Sequence, residues 1–229
     1  MRASWDPELS VQDRYSVSGT RHHHLVNVVR LEAGEELLLL NGKGLRVLTR
    51  VEAISKKELH LTFCSFDYSE ENHLMDLALG IPKKEALELC LKQATELGFR
   101  RIFFVRSEFA QSKWPDADRI QNVLVSALEQ SNSHFLPVIT VTDWTGLPWT
   151  DYSHILMLDS QSKNCQNVDQ TPGPKALLIV GPEGGFSQAE SAELHARSDI
   201  EIIKLPTPIL RTPTAVAAGA GILLGRLLK

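Results

Sequence analysis

Long hydrophobic runs are missing from this 229-residue chain. No stretch approaches the roughly 20 apolar residues that a membrane-spanning helix needs. The start, Met1-Arg2-Ala3-Ser4-Trp5-Asp6, lacks the apolar centre of a secretion signal. A cytoplasmic protein with no membrane association is therefore expected. Cysteine is scarce as well: Cys64, Cys90 and Cys165 stand far apart with no Cys-x-x-Cys pair, which argues against both a disulfide framework and a zinc site. Nor is there a strong charge of one sign. A net charge of −4 does not announce a nucleic-acid surface. The one regional excess runs from Lys83 to Lys113, where seven basic residues face four acidic ones, and such a run is most often a solvated face.

What is present suits a globular protein: 43% of the residues are hydrophobic, enough for one large or two smaller cores. Residues 1–70 read as a small all-β unit. The apolar run 36–40, the turn signal Asn41-Gly42-Lys43-Gly44 and the alternating segment 45–51 make a hairpin. Residues 59–63 repeat the alternation as a third strand, and three such strands need closing partners, as in a barrel or sandwich. His22, His23 and His24 do not read as a metal site, because three consecutive side chains do not converge on one ion. Residues 24–31 read as a short apolar helix that ends before Gly34.

A polar stretch at 67–72 separates this unit from a second pattern, in which strands and helices alternate. Strands are expected at 74–81, 102–105, 138–141, 155–158, 176–180 and 200–203, and helices at 83–97, 118–131, 187–197 and from 213 to the C-terminus. Ser187 with Glu190 three residues on forms a capping box. A polar loop at 161–174 has the length of a lid or an insert. The alternation indicates an open parallel α/β sheet, which binds ligands at the carboxyl ends of its strands.

Two connections carry chemistry. The first, Gly181-Pro182-Glu183-Gly184-Gly185-Phe186-Ser187, lets backbone approach a ligand closely. It has neither the Gly-x-Gly-x-x-Gly fingerprint nor the Lys-Ser/Thr of a phosphate loop, and its carboxylate favours a neutral or cationic small ligand. In the second, Pro206, Pro208 and Pro213 stiffen a connection that presents Leu210 and Arg211 just before a helix. Thr212 and Pro213 suit an N-cap and a first helical position. The helix itself contains Gly219, Gly221 and Gly225, each costing about 1 kcal/mol of helix propensity relative to alanine. Close approach of another backbone, a threaded loop or a partner helix, would offset that cost.

These two connections, with Lys92-Gln93-Ala94-Thr95-Glu96-Leu97-Gly98 and His24-Leu25-Val26-Asn27-Val28-Val29-Arg30-Leu31 upstream, resemble the small-subunit ribosomal RNA (uracil-N3)-methyltransferase family of the SPOUT superfamily. The resemblance covers nearly the whole chain. It implies a PUA-like β-barrel at 1–70 that binds RNA. It further implies a SPOUT α/β domain at 73–229 whose C-terminal segment is threaded into a trefoil knot, an arrangement essentially absent from ordinary folds. The family is homodimeric and binds S-adenosylmethionine in the knot at the subunit interface; no metal is required. Carried over residue by residue, the cofactor would lie against Leu158 and Asp159, then Val180, Gly181, Pro182, Gly184 and Gly185, then Leu205, Pro206, Ile209, Leu210, Thr212 and Ala215. Arg211 is the candidate for orienting the base and stabilising negative charge. Glu183 is a candidate proton acceptor or cofactor contact, or else structural.

Three positions depart from the family pattern. Pro213 stands where a glutamate is usual, Phe109 where an arginine is usual, and Ser133 where another arginine is usual. The resemblance implies methylation of N3 of a uridine in 16S ribosomal RNA. Two alternatives stay open: a knotted RNA-binding protein of ribosome assembly that has lost catalysis, and a methyltransferase for another RNA site.

Overall fold

The computed structural model describes residues 1–70, 74–110, 116–162 and 175–227. The end of the polar separator at 67–72, Lys113, Cys165 and most of the loop at 161–174 lie outside the described residues. The chain forms two compact units, one of Met1–Asn72 with Val125–Leu136, the other of His73–Leu124 with Pro137–Lys229.

The first unit is a five-stranded sheet of β1 (Ala3–Trp5), β2 (Arg14–Ser18), β3 (Glu36–Leu40), β4 (Leu45–Ile54) and β5 (Glu58–Tyr68), in the order β1-β3-β4-β5-β2. Only the β1–β3 pair is parallel. The β3–β4 turn forms as its residues require: the Asn41 side-chain oxygen accepts from the N–H groups of Lys43 and Leu45, and Gly42 and Gly44 take φ of 70° and 108°. Two register shifts interrupt the β4–β5 ladder, between Leu48 and Thr49 and between Val51 and Ala53, and such bulges bend a sheet.

Both faces of β3 are covered. Leu37 and Leu39 join a core with Val17, Leu25, Val47, Leu59 and Leu61. Leu38 and Leu40 point the other way, onto Leu128 with Trp5, Leu48 and Leu136 beside it. This second face explains why 125–136, which lies inside the 73–229 range, clusters with the first unit. Glu129 accepts from the Trp5 N–H at 2.8 Å and Gly42 accepts from Leu136 N–H at 2.9 Å.

The short helix begins earlier than its apolar residues indicate. It is α1 (Gly19–His23), and it runs into a π-helical turn at His24–Val28. Gly19, at φ 65°, lets the chain turn out of β2 directly into the helix. The histidines diverge: His22 is buried with Nε2 3.1 Å from the Ser55 carbonyl, while His23 and His24 are exposed.

The second unit is a six-stranded, wholly parallel sheet of β6 (Met75–Gly80), β7 (Arg101–Val105), β8 (Val138–Thr142), β9 (His154–Leu158), β10 (Ala176–Val180) and β11 (Ile200–Ile203). The order is β11-β9-β10-β6-β7-β8. Its helices are α2 (Lys84–Glu96), α4 (Gln188–His195) and α5 (Thr212–Leu227), with α3 (Ala117–Ser131) as far as Leu124. The central strands β6 and β10 are buried throughout, as sheets covered on both faces require. One face packs Ala78, Phe103, Met157, Ile179 and Ile202 with Trp144, Leu147 and Leu194. Helix α5 lies over β9 and β10 and packs against α2, whose Leu87, Leu91 and Ala94 are buried. The approach of α5 is close at Gly219, where a Cβ would stand 2.4 Å from Leu178 Cδ1. By contrast, Gly221 and Gly225 have nothing within 4 Å of an added Cβ.

Candidate functional site

A cavity of about 630 Å³ opens at the carboxyl ends of β9, β10 and β11. Three connections build it: Leu158 to Gln161 after β9, Val180 to Phe186 after β10, and Ile203 to Thr212 after β11. Of the thirteen residues the sequence assigns to a cofactor, all line this cavity except Pro206, and Arg211 and Glu183 line it too. Ser160, Gln161, Phe186, Ser191, Lys204, Thr207 and Pro208 also line it. None of these is assigned to the cofactor from sequence; all but Ser191, which lies on α4, share a connection with residues that are.

Each wall has its own reason to hold its shape. After β9, the buried Asp159 accepts from the Gln161 N–H at 2.9 Å through Oδ1. Its Oδ2 lies 3.1 Å from His195 Nε2 at the end of α4, where the ring donates because a carboxylate only accepts. Asp159 N–H in turn donates to the Ile203 carbonyl, joining the first and third walls.

The glycine-rich wall turns at Gly185, which has φ 73°, and Gly185 N–H donates to the Pro182 carbonyl at 2.9 Å. Gly181 leaves room for the Phe186 ring, which would sit 3.2 Å from a Cβ there and packs against Trp144 at 5.7 Å between ring centroids. The wall leads into α4 through the expected capping box of Ser187 and Glu190.

Glu183 has a structural partner. Its Oε1 accepts from the backbone N–H of Lys83 at 2.9 Å, at the start of α2, where the helix dipole favours an anion. The carboxylate thus ties the glycine loop to α2. Below it, burial pushes the Cys90 thiol up to about 12, with the charge of Glu183 adding to the effect, so this cysteine is no nucleophile.

The third wall carries both cationic residues of the lining, Lys204 and Arg211. Arg211 is exposed at the cavity and has no ion-pair partner among the described residues. Ile209 beside it is 78% exposed, an unusual position for so large an apolar side chain unless something covers it. Thr212 is the first residue of α5 rather than the flanking cap, and its buried hydroxyl donates to the Gly181 carbonyl at 3.4 Å instead of capping its own helix. Pro213 follows in the first turn, where its missing N–H costs nothing.

The other two departing positions fall elsewhere. Phe109 packs on Gly184, so that a Cβ there would lie 2.8 Å from Phe109 Cβ. Ser133 belongs to the first unit, and its hydroxyl donates to the Phe135 carbonyl.

A cavity of this size, with apolar lining and a few polar groups, is the usual form of a small-molecule site. Among the described residues no group of three or more His, Cys, Asp or Glu side chains is placed to hold a metal ion, and no helix is long and apolar enough to cross a membrane.

Comparison with known proteins agrees with this layout. A family described as an RNA methyltransferase domain matches residues 69–224, and one described as an RNA methyltransferase PUA domain matches residues 17–64. The ribosomal RNA small subunit methyltransferase E of Bacillus subtilis is 27% identical over 222 residues, covering 88% of this chain and 86% of the relative. Ribosomal RNA small subunit methyltransferase E 2 of Borreliella burgdorferi is 28% identical over 211 residues, covering 85% and 84%. The crystal structure of ribosomal RNA small subunit methyltransferase E from Neisseria gonorrhoeae, bound to S-adenosyl methionine, has the same fold at a TM-score of 0.83 and 24% identity, covering 99% of this chain and 98% of that one. With a parallel α/β unit whose cavity lies where that family model matches, preceded by a PUA-type unit, the chain belongs to the RNA methyltransferase family.

Proposed function

We propose that the chain is an S-adenosylmethionine-dependent methyltransferase that methylates N3 of a uridine in 16S ribosomal RNA, acting as a homodimer with the donor held in a trefoil knot. The observation that carries this reading is the three-walled cavity itself. It gathers twelve of the thirteen expected donor contacts, together with Arg211, from three separate stretches of chain.

The residues fit the donor. Gly181, Gly184 and Gly185 offer backbone close to the ligand, Leu158, Leu205, Ile209 and Leu210 offer apolar cover for an adenine ring, and the volume suits a nucleoside-sized molecule. When bound, the donor supplies an electrophilic methyl group on a sulfonium, which departs as a neutral thioether. The chain's own part is positioning and charge. Uracil N3 becomes a good nucleophile only after its proton has left to solvent water, and the Arg211 guanidinium stabilises the resulting anion and orients the base. Glu183 holds the glycine loop on α2 and is assigned a positioning role, because its Oε1 already accepts from Lys83.

The knot is supported by the bond from Thr212 to Gly181, which fastens the segment leaving β11 to the loop after β10. The dimer is supported by α5. Gly221 and Gly225 are exposed with open space around them, so contacts within one chain do not repay their cost in helix propensity. A partner seated on that face would do so. The PUA-type unit at 17–64 is assigned to gripping the RNA.

The test is a deletion strain whose 16S ribosomal RNA is digested with nuclease and read by mass spectrometry. Loss of a uracil N3 methyl mark, restored when purified protein and labelled donor are added to its small subunits, is the expected result. An unchanged mark would sink the assignment. Calorimetry with S-adenosylhomocysteine separates an enzyme from a knotted RNA-binding protein without catalysis, since micromolar binding is expected only of the enzyme.

A further inference from the structure

Phe109 stands just beyond the carboxyl end of β7 with 47% of its surface exposed. The short turn that carries it is fixed at both ends. Ala110 N–H donates to the Ser107 carbonyl at 3.0 Å, and Glu108 N–H donates to Glu190 Oε1 at 3.0 Å. That carboxylate is itself held, since Oε1 also accepts from the Trp144 indole N–H at 2.8 Å and Oε2 from the Ser187 N–H at 2.9 Å. The capping box of α4 therefore doubles as the anchor of this turn.

The ring is also placed. Measured from the position a Cβ would take on Gly184, Phe109 Cβ, Cγ and Cδ2 lie at 2.8, 3.2 and 3.4 Å. The side chain thus leans on a glycine that lines the cavity, at a spot where any other residue would push it away. A core role does not explain an aromatic side chain nearly half in water. A rigidly mounted, half-exposed ring beside a methyl-donor cavity has the make-up of a nucleic-acid stacking site, where the ring takes a base face.

Resting on the reading that this chain methylates RNA, we propose that Phe109 is the platform on which the acceptor base stacks as it is presented to the cavity. The ring fixes the plane of the base and Arg211 fixes its edge. Stacking is indifferent to base identity, so Phe109 sets how firmly RNA is held rather than which base is chosen.

The test compares Phe109→Ala, Phe109→Leu and Phe109→Tyr in methyl transfer from labelled donor to small subunits and to naked 16S ribosomal RNA, with S-adenosylhomocysteine calorimetry on each variant. Leucine keeps apolar contact with Gly184 but has no π face; tyrosine keeps both. The expected result is a rise of about tenfold in the KM for RNA with alanine and with leucine. Tyrosine should behave as the parent, and S-adenosylhomocysteine affinity should stay within about twofold, because the ring does not line the cavity. A leucine variant with parental KM would overturn the proposal and leave the ring as packing. Loss of S-adenosylhomocysteine binding in step with RNA binding would overturn it too, by making the ring a support for the glycine loop. Either result, obtained beside a fully active parent enzyme, leaves the methyltransferase assignment standing. A parent inactive on both RNA forms would instead overturn that assignment and this proposal with it.

Discussion

The hydroxyl of Thr212 donates to the carbonyl of Gly181 at 3.4 Å, across a buried gap between the first residue of α5 and the glycine loop after β10. The bond joins two stretches 31 residues apart in the chain, and both residues line the cavity. Thr212→Val removes the donor, keeps the shape and leaves the Gly181 carbonyl unsatisfied. It should lower stability by about 1 kcal/mol and weaken S-adenosylhomocysteine binding, whereas Thr212→Ser should keep most of both. Calorimetry and urea unfolding read the two effects, and a valine variant with parental affinity would show that the bond does not shape the site.

The roles assigned to Arg211 and Glu183 separate by substitution. Arg211→Ala should cut kcat by about a hundredfold, the usual cost of losing a charge-stabilising donor, with little change in S-adenosylhomocysteine affinity. Glu183→Gln keeps an oxygen that accepts from Lys83 N–H and should retain most activity. Glu183→Ala, which abandons that bond, should weaken donor binding. A glutamine variant as inactive as Arg211→Ala would make Glu183 a proton acceptor instead of an anchor.

The three glycines of α5 should answer differently to alanine. At Gly219 the new Cβ would meet Leu178 Cδ1 at 2.4 Å, so Gly219→Ala should destabilise the fold by about 1–3 kcal/mol through overpacking. At Gly221 and Gly225 nothing lies within 4 Å. Alanine there should leave a single chain as stable or about 1 kcal/mol more so, while weakening any dimer that packs on that face. Thermal unfolding and light scattering at several concentrations measure the two effects. Dimers of undiminished stability in both variants would remove the glycines from the interface.

In the first unit, the Arg46 guanidinium holds the Asp67 carboxyl below the usual carboxylate range, and His134, 3.0 Å away, adds to the effect. A depressed carboxylate contributes stability that is full above its unfolded value, near pH 3.9, and is lost as pH falls through the folded value. Asp67→Asn should therefore lower the urea midpoint at neutral pH, and the gap to the parent should close below about pH 4. Asp67 is about half exposed, so the effect is modest. A gap of constant size across that range would mean the charge is not what the pair uses.

Much of the layout could be read from local pattern. The Asn41-Gly42-Lys43-Gly44 turn, the buried strands β6 and β10 and the Ser187–Glu190 capping box are each set by neighbours within a few residues. Other features were hidden because their causes lie far off in sequence. Nothing around Val125 to Leu136 says that it covers the outer face of β3, since Leu128 meets Leu38 and Leu40 only once the chain has folded. The early start of α1 has no local signal, because its first residues, Gly19 and Thr20, are poor helix formers, and Gly19 at φ 65° serves the turn out of β2. Thr212 looked like a cap on sequence grounds, yet its hydroxyl is claimed by Gly181.

Residue chemistry alone marks the positions fit to meet a ligand: glycines for close approach, prolines for a fixed path, one arginine for charge. It takes the fold to bring Leu158, Gly181 and Leu210 to the border of one space, to set Glu183 Oε1 against the Lys83 N–H, and to lean Phe109 on Gly184. Propensity and periodicity act over a few residues, whereas a cavity shared by three strand ends exists only when parallel strands are brought side by side.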